Sequence, residues 1–399
     1  MEILNNYWGS QTAIFTVIFL AAVFISICRK SDIRILSKET SNELRGLAIL
    51  GIIFTHLTYG KFYGTEFLFP LGIWGGIAVN LFFFLSGYGL AASAIYHPKT
   101  LLEFYRKRVA KIYLPLWLFL FFVLLADAYL LNRFYPLAEV IAAFFGFFPR
   151  ADLFVSINSP LWFLTPLLFY YLIFPLIFHQ RHPRWSVLAI FIVSFSAYWP
   201  GWPVTEQIWE YYQTHWLAFP LGVLLAVLTV SPQAVCAACV RSKRCRSYRW
   251  LLSAWTKDTE AAAKPLARLI KNFRSLPSVW HWLILVLLTG LAWQTAYHSG
   301  VGQGLEIEQA YALVTMACLI LLFAFKKTKF RLLEIIGVYS FEIYLWHWPL
   351  FGRYGFLYDY LPPWLATVLY LPLILGLAYF FNHLAKFAVD RIMAKKCFK

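Results

Sequence analysis

The chain has 399 residues, of which 61% are hydrophobic and 14% are charged. Soluble domains carry about 25% charged residues, so this composition excludes an ordinary soluble protein and indicates an integral membrane protein. The formal net charge of +16 would suit a nucleic-acid-binding protein, but the basic residues follow the predicted membrane topology instead.

Apolar segments of helical length predict an all-α fold, a polytopic membrane helix bundle of about 11 transmembrane helices. Nineteen prolines and 21 glycines fit a bundle of kinked, closely packed helices. The apolar segment 136–149 is too short to span a bilayer and is predicted to be interfacial or re-entrant. The predicted spans are 11–28, 44–60, 73–96, 110–131, 161–179, 186–200, 215–230, 281–298, 309–325, 333–352 and 364–386.

The lysines and arginines orient this bundle. With the N-terminus outside and the C-terminus cytoplasmic, 31 of the 35 lie in segments predicted to be cytoplasmic. Such an asymmetry is the positive-inside rule. The basic excess is therefore explained by topology, and we expect no nucleic-acid partner. The four basic residues predicted to lie outside are Lys61, Arg133, Arg150 and Arg353.

Two further features of the chain concern its start and its cysteines. The first residues, MEILNNYW, lack the basic region of a secretory signal peptide, so we expect residues 1–30 to hold a retained transmembrane helix. Cys236 and Cys239 have CxxC spacing, but no second CxxC or HxxH completes a four-ligand zinc site. We therefore expect Cys236 and Cys239 to be free cytoplasmic thiols, and we expect no bound metal.

The second predicted span, ELRGLAILGIIFTHLTY, carries two ionisable residues, Arg45 and His56. Eleven residues separate them, so on a helix they share one face and lie about 16 Å apart along its axis. The topology places Arg45 at the cytoplasmic mouth and His56 past mid-depth, toward the outside. Ionisable groups within a bilayer are costly and commonly functional. The alternative is that His56 only contacts a neighbouring helix and that Arg45 is a boundary charge.

Polar residues continue in the next span and in the loop after it. Asn80 and Ser86 need partners in lipid, and they are either interhelical contacts or parts of a site. The loop brings Arg106, Arg108 and Lys111 to the point where the chain re-enters the bilayer. This cluster is either a topogenic basic flank or a phosphate-binding site, since arginine matches phosphate oxygens in a bidentate manner.

The outer segments are aromatic. Trp162 opens the span SPLWFLTPLLFYYLIFP, and the loop 198–216 carries several aromatic residues with Glu206 and Glu210 but no lysine or arginine. Such a surface suits a hydroxyl-rich ligand such as a sugar, although an interfacial aromatic belt explains it equally well.

On the cytoplasmic side, the segment 231–279 is basic and amphipathic, and we expect it to lie on anionic lipid.

The tenth predicted span, LLEIIGVYSFEIYLWHWPLF, contains a further polar set. Ser340, Tyr344 and His347 follow i, i+4, i+7 spacing and share a helix face. Glu342 is a carboxylate within the span and must be neutral, paired or in a wet cavity. It is a candidate to orient His56 or to balance the charge of Arg45.

Five sequence segments occur in an order that resembles the acyltransferase-3 family of membrane acyltransferases. They are ELRGLAILGIIFTH, NLFFFLSGYGL, FYRKRVAKIYLP, SPLWFL and YSFEIYLWHWPL. The resemblance covers an acyltransferase domain at residues 41–390, with the helix in residues 1–30 as an addition. The arginine-x10-histidine motif of the family falls on Arg45 and His56, and its paired-arginine motif falls on Arg108 and Lys111. Lysine at the second position is a departure, as is Asn80 where an aspartate is common.

The resemblance implies transfer of an acyl group, usually acetyl, to a hydroxyl of a carbohydrate or lipid-linked glycan acceptor or an exported molecule. The implied donor is acyl-coenzyme A, of which acetyl-coenzyme A is the usual form, with no permanently bound cofactor. The protein would then lie in the cytoplasmic (inner) membrane of a bacterium. His56 is the predicted general base or acyl relay, because histidine has a pKa of about 6.5 in water.

The predicted site divides into three groups. The catalytic candidates are His56 and Glu342, and the donor-binding candidates are Arg45, Arg106, Arg108 and Lys111. Around them we expect Asn80, Ser86, Trp162, Tyr344 and His347. A transporter or flippase that uses Arg45 and His56 as an ion relay is the alternative, although we detect no inverted repeat in the sequence.

Overall fold

The computed structural model describes residues 7–32, 35–148, 157–180, 182–196, 212–229, 272–273, 275–299 and 305–394. Within these ranges the chain is mostly α-helical, as an all-α bundle requires. The helices are α1 (Trp8–Ile25), α2 (Lys38–His56), α3 (Gly75–Tyr96), α4 (Leu101–Arg108), α5 (Leu114–Leu131), α6 (Leu137–Phe144), α7 (Leu164–Ile177), α8 (Pro183–Ser196), α9 (Ala218–Thr229), α10 (Ser278–His298), α11 (Leu305–Phe325), α12 (Arg331–Val338), α13 (Ser340–Trp348), α14 (Leu357–Tyr360) and α15 (Pro363–Ala394). The strands are β1 (Ile27–Arg29) and β2 (Thr328–Phe330).

Seven helical segments of the described chain are long and apolar enough to cross a membrane. They overlap the predicted spans 11–28, 73–96, 110–131, 161–179, 281–298, 309–325 and 364–386. Helices α8 and α9 stand where two further spans are predicted, but they have only 14 and 12 residues. The count of 11 spans and the orientation of the termini stay predictions.

The two remaining predicted spans, 44–60 and 333–352, are interrupted helices. Helix α2 ends at His56 and continues as a π-helical turn, Leu57–Lys61. The other segment divides at Tyr339 into α12 and α13, and a second π-helical turn follows Trp348. Such turns occur frequently at functional sites. These two follow closely after a histidine, and a third, Val109–Tyr113, follows Arg108.

Glycines bring α2 and α12 into direct backbone contact. A Cβ atom on Gly337 would lie 1.7 Å from the carbonyl oxygen of Asn42. A Cβ atom on Gly46 would lie 2.0 Å from the carbonyl oxygen of Leu333. Neither position therefore has room for a side chain. Since α13 follows α12 directly, the close approach of α2 and α12 places α13 beside the end of α2.

Ion pairs and a small sheet join the same elements at their predicted cytoplasmic end. Strand β1 pairs antiparallel with β2, so that α1 is tied to the start of α12. Glu39 accepts a hydrogen bond of 2.6 Å from Lys329. Burial alone would raise the pKa of Glu39, but hydrogen bonds from Lys329 and Ser31 outweigh it and lower that pKa to about 2. Lys326 pairs with the buried carboxylate of Glu43.

Some predicted features lie outside the described residues. They are Cys236 and Cys239, most of the aromatic loop 198–216, and all of the basic segment 231–279 except 272–273 and 275–279.

Candidate active site

Two histidines from distant parts of the chain form a hydrogen-bonded pair, which we call the imidazole pair. His56 is the last residue of α2, and His347 is the last but one of α13. Nδ1 of His56 lies 2.8 Å from Nε2 of His347, and the rings stack with centroids 5.0 Å apart. His347 is buried, whereas His56 is half-buried. The pair therefore has one enclosed member and one member that a substrate can approach.

A backbone carbonyl decides which nitrogen of each neutral ring carries the proton. Nδ1 of His347 lies 2.7 Å from the carbonyl oxygen of Tyr344, which can only accept a hydrogen bond. His347 therefore carries its proton on Nδ1, and its Nε2 accepts a hydrogen bond from Nδ1–H of His56. This leaves a lone pair on Nε2 of His56. That atom has no hydrogen-bond partner among the described residues, so it can act as a base or a nucleophile.

Trp348 packs against this pair and against the π-helical turns Leu57–Lys61 and Pro349–Arg353. Its ring meets the His56 ring edge-on, with centroids 6.0 Å apart. A Cβ atom on Gly60 would lie 2.5 Å from Cη2 of Trp348, and one on Gly352 would lie 3.1 Å from its Cε2. Because the indole fills the space above two glycines, it helps to hold the imidazole of His56 in place.

Glu342 is a predicted catalytic residue that the structure does not bring to His56. Its buried carboxylate accepts a hydrogen bond of 2.6 Å from Nδ2 of Asn382 in α15. Five residues separate it from His347, which turns the two side chains about 140° apart around the helix. The neighbour of His56 is thus His347 rather than Glu342, and a catalytic role for Glu342 stays a prediction. Tyr344 is closer to the pair, with its ring centroid 5.7 Å from that of His347.

Three cations gather near the beginning of α2, and we call them the cation cluster: Arg45, Arg108 and Lys111. The guanidinium of Arg108 lies 4.8 Å from the ring centroid of Tyr171 and 5.3 Å from that of Phe104. Arg45 is close enough to Arg108 and Tyr171 to interact electrostatically with both. Lys111 is likewise close enough to Arg108 and Arg45 for their positive charges to repel its own.

No anion of the described chain neutralises this cluster. None of its three members forms an ion pair or a hydrogen bond with a described residue, and Nε of Arg108 is buried without a partner. The positive field extends to the neighbouring loop, where burial and the charges of Lys107, Arg108 and Lys111 lower the pKa of Lys99. Like charges held together without a counter-ion produce a positive potential that attracts anions.

The structure does not place Arg106 within this cluster. Arg106 is exposed, and it lies two residues before Arg108, which turns it about 160° away around α4. Ser86, another predicted site residue, is half-buried in α3 and makes no hydrogen bond with a described residue. Both stay predictions.

Asn80 and Trp162 meet at a histidine that the sequence analysis did not single out. Nδ1 of His215 lies 2.8 Å from Oδ1 of Asn80, and the ring of Trp162 stacks on His215 with centroids 6.1 Å apart. The available signal was a histidine beside Trp216 at the start of a predicted span. The sequence could not reveal its partner, because Asn80 lies 135 residues away. Asn158 was also missed, and its Nδ2 donates to the carbonyl of Leu345 at 2.8 Å.

Comparison with known proteins adds one finding. The acyltransferase-3 family model, described as an acyltransferase domain, matches residues 42–383. No curated protein and no solved structure matches the chain. The matched range contains the imidazole pair, the cation cluster and the contact between His215 and Asn80, whereas α1 lies before it.

Proposed function

Since this chain belongs to the acyltransferase-3 family of membrane acyltransferases, we propose that it transfers an acyl group from cytoplasmic acyl-coenzyme A to a hydroxyl of a cell-envelope carbohydrate or an exported acceptor. We take the acyl group to be acetyl and the membrane to be the bacterial inner membrane. One observation carries the proposal: α2 connects a cation cluster to a histidine, and among the described residues the cluster has no counter-ion and Nε2 of the histidine has no partner. These are the two requirements of the reaction, a site for an anionic donor and a base for the acceptor.

The donor end follows from charge. Coenzyme A carries several phosphate charges, and charge-assisted hydrogen bonds from arginine to phosphate are among the strongest in proteins. Arg45, Arg108 and Lys111 have no such partner within the described chain. Arg45 and His56 lie in one uninterrupted helix, about 16 Å apart along its axis. The extended pantetheine arm of coenzyme A is long enough to span that distance and bring the thioester to His56.

The chemical end follows from the proton positions. In the general-base form, Nε2 of His56 takes the proton of the acceptor hydroxyl while the oxygen attacks the thioester carbonyl. The tetrahedral intermediate then breaks its C–S bond, and the departing sulfur receives the proton from Nε2. In the acyl-relay form, Nε2 itself attacks the thioester, and the C–S bond breaks to release the coenzyme A thiolate. The acceptor hydroxyl then attacks the acyl carbon, its proton passes to the thiolate, and the C–N bond breaks, which restores Nε2.

His347 has the same role in both forms. Its Nε2 accepts a hydrogen bond from Nδ1–H of His56, so it orients the ring and stabilises the positive charge that develops on it. His347 is in turn fixed by the carbonyl of Tyr344. This is the arrangement of a base that is oriented by a third group.

The test uses membranes that contain the protein, with acetyl-coenzyme A labelled with ¹⁴C in the acetyl group. We expect His56→Ala and His56→Gln to lower transfer of label into envelope material by about 10²- to 10⁴-fold, the usual contribution of general acid–base catalysis. The matched control is His383→Gln, because His383 is exposed and bonds only to the backbone of its own helix. It should transfer label at the wild-type rate.

Two results would contradict the proposal. One is full transfer by His56→Ala at an unchanged protein level. The other is uptake of a solute by the wild-type protein with no consumption of acetyl-coenzyme A, which would favour the transporter alternative.

A further inference from the structure

A second histidine lies in the bundle apart from the imidazole pair, and its hydrogen bonding is incomplete. His215, just before α9, is 6% exposed, and Asn80 of α3 is 0% exposed. One hydrogen bond joins them, from Nδ1 of His215 to Oδ1 of Asn80 at 2.8 Å. We call these two residues the His215–Asn80 site.

Each member of this site has one polar atom left over. Nδ2 of Asn80 is buried and has no hydrogen-bond partner in the part of the chain that the structure describes. Because Nδ1 of His215 donates to Asn80, the neutral ring presents a lone pair on Nε2, which has no partner among the described residues. If the amide oxygen and nitrogen of Asn80 were exchanged, the two roles would simply be swapped. In either orientation of the Asn80 amide, the site has one hydrogen-bond donor and one acceptor without a partner among the described residues.

Such a combination points to a particular chemistry. Buried polar groups are nearly always hydrogen-bonded, so the two orphan atoms indicate a missing partner. A hydroxyl can both donate and accept, as can neighbouring hydroxyls of a polyol. A phosphate or a carboxylate can only accept, so it would leave the lone pair of His215 unpaired. Within the described part of the chain, neither His215 nor Asn80 forms a hydrogen bond or an ion pair with a lysine or arginine, which distinguishes the site from the cation cluster.

The site lies at the same level of the bundle as His56. A Cβ atom on Gly75 would lie 2.7 Å from Cγ2 of Thr55, the residue before His56. A Cβ atom on the next residue, Gly76, would lie 3.8 Å from Cε1 of His215. The first turn of α3 thus contacts the surroundings of both imidazoles.

Aromatic rings connect the two sites. His347 contacts Tyr344, whose ring lies 5.9 Å from that of Phe163. Phe163 lies 4.5 Å from Phe83, and Phe83 lies 6.3 Å from His215. Apolar and aromatic walls with a few placed polar groups are typical of sites for small organic molecules.

Trp162 adds a flat surface beside the site. Trp162 belongs to the 3₁₀ turn Ser159–Phe163, and its ring stacks on His215 at an interplanar angle of 26°. An aromatic ring beside a hydroxyl-seeking pair suits a polyol with an apolar face, as sugars have.

We propose that the His215–Asn80 site binds hydroxyl groups of the acceptor, with Nε2 of His215 and Nδ2 of Asn80 as the hydrogen-bonding atoms. The site would hold a sugar-like polyol so that another of its hydroxyls reaches Nε2 of His56. This inference rests on the proposed function, because it names the acceptor class of the same reaction.

The experiment separates acceptor binding from donor binding. Inverted membrane vesicles that carry their own acceptor are supplied with ¹⁴C-acetyl-coenzyme A, and label in envelope material is measured. In parallel, binding of coenzyme A to the purified protein is measured by calorimetry. We expect His215→Ala and Asn80→Leu to lower label transfer by about 10- to 100-fold, the effect of losing one or two buried hydrogen bonds. Their Kd for coenzyme A should stay within about twofold of the wild-type value.

A matched control is His281→Ala. His281 is also a buried histidine whose Nδ1 has no partner among the residues that the structure describes, but it lies in α10. It should transfer label at the wild-type rate. If His215→Ala does not accumulate, His215→Phe decides, because it keeps an aromatic ring to stack on Trp162 and removes both ring nitrogens. It should still lower transfer with coenzyme A binding intact.

Wild-type transfer by these variants would overturn the inference, as would an equal loss of transfer and coenzyme A binding. Failure of the proposed function itself would look different. In that case even the wild-type protein would move no label from acetyl-coenzyme A.

Discussion

Nδ1 of His56 and Nε2 of His347 lie 2.8 Å apart although 291 residues separate them along the chain. The carbonyl of Tyr344 orders the protons of both rings, so that the free lone pair is on His56. In the proposed mechanism, His56 accepts a proton, while His347 holds its ring and does not itself react with the substrate. The role of His347 can be tested without changing His56.

We expect His347→Ala to lower acyl transfer by about 10- to 100-fold, the usual effect of removing a group that orients a functional histidine. The reason is that Nδ1 of His56 loses its acceptor, so the ring can rotate and change its tautomer. His347→Gln should recover part of the rate, since its side-chain oxygen can accept the same bond. The measurement is kcat and KM for acetyl-coenzyme A, and KM should be unchanged. A wild-type kcat in His347→Ala would show that the hydrogen bond has no catalytic consequence.

The cation cluster leads to a prediction about the donor. We expect Arg108→Ala to raise KM for acetyl-coenzyme A by about tenfold or more, because one charge-assisted contact to phosphate is lost. Arg108→Lys should recover the charge but not the bidentate geometry or the stacking on Tyr171. A suitable control is Arg331→Gln, which removes an equal charge at a largely exposed position paired with Glu334. If both variants raised KM equally, only the net surface charge would matter.

Two substitutions of Glu342 can distinguish a structural role of this residue from a catalytic one. Glu342→Gln keeps an oxygen that can accept the hydrogen bond from Asn382 but removes the ionisable carboxylate. If Glu342 only joins α13 to α15, we expect Glu342→Gln to retain transfer to within about threefold, whereas Glu342→Ala leaves Asn382 unpaired and destabilises the protein. A large loss of kcat in Glu342→Gln, at a normal protein level and thermal stability, would instead support the predicted catalytic role.

The contact between α2 and α12 predicts a strong effect of a single methyl group. We expect Gly337→Ala to lower the unfolding temperature in detergent and the protein level, because its Cβ would overlap the carbonyl of Asn42 at 1.7 Å. Overpacking of this kind costs about 1–3 kcal/mol or more. The matched control is Gly376→Ala in α15, where a Cβ atom would meet nothing within 4 Å. There alanine should leave stability unchanged or improve it, since alanine favours a helix. Equal behaviour of the two variants would refute the packing argument.

Local properties of the sequence determined the class of the protein. Hydrophobicity and length identified the seven long apolar helices, and the distribution of lysine and arginine supplied an orientation that stays a prediction. Helical periodicity placed Arg45 and His56 in one helix, where the structure has them. Such inferences succeed because helix formation and membrane insertion depend on residues that are neighbours along the chain.

Only the tertiary structure decided the partners of the functional side chains. It paired His56 with His347, Glu342 with Asn382, and His215 with Asn80. A sequence cannot specify these contacts, because a hydrogen bond between distant residues depends on how helices cross, here on the backbone contact that Gly46 and Gly337 permit. The π-helical turn after His56 was hidden for a similar reason, since neighbouring helices determine where a helix widens.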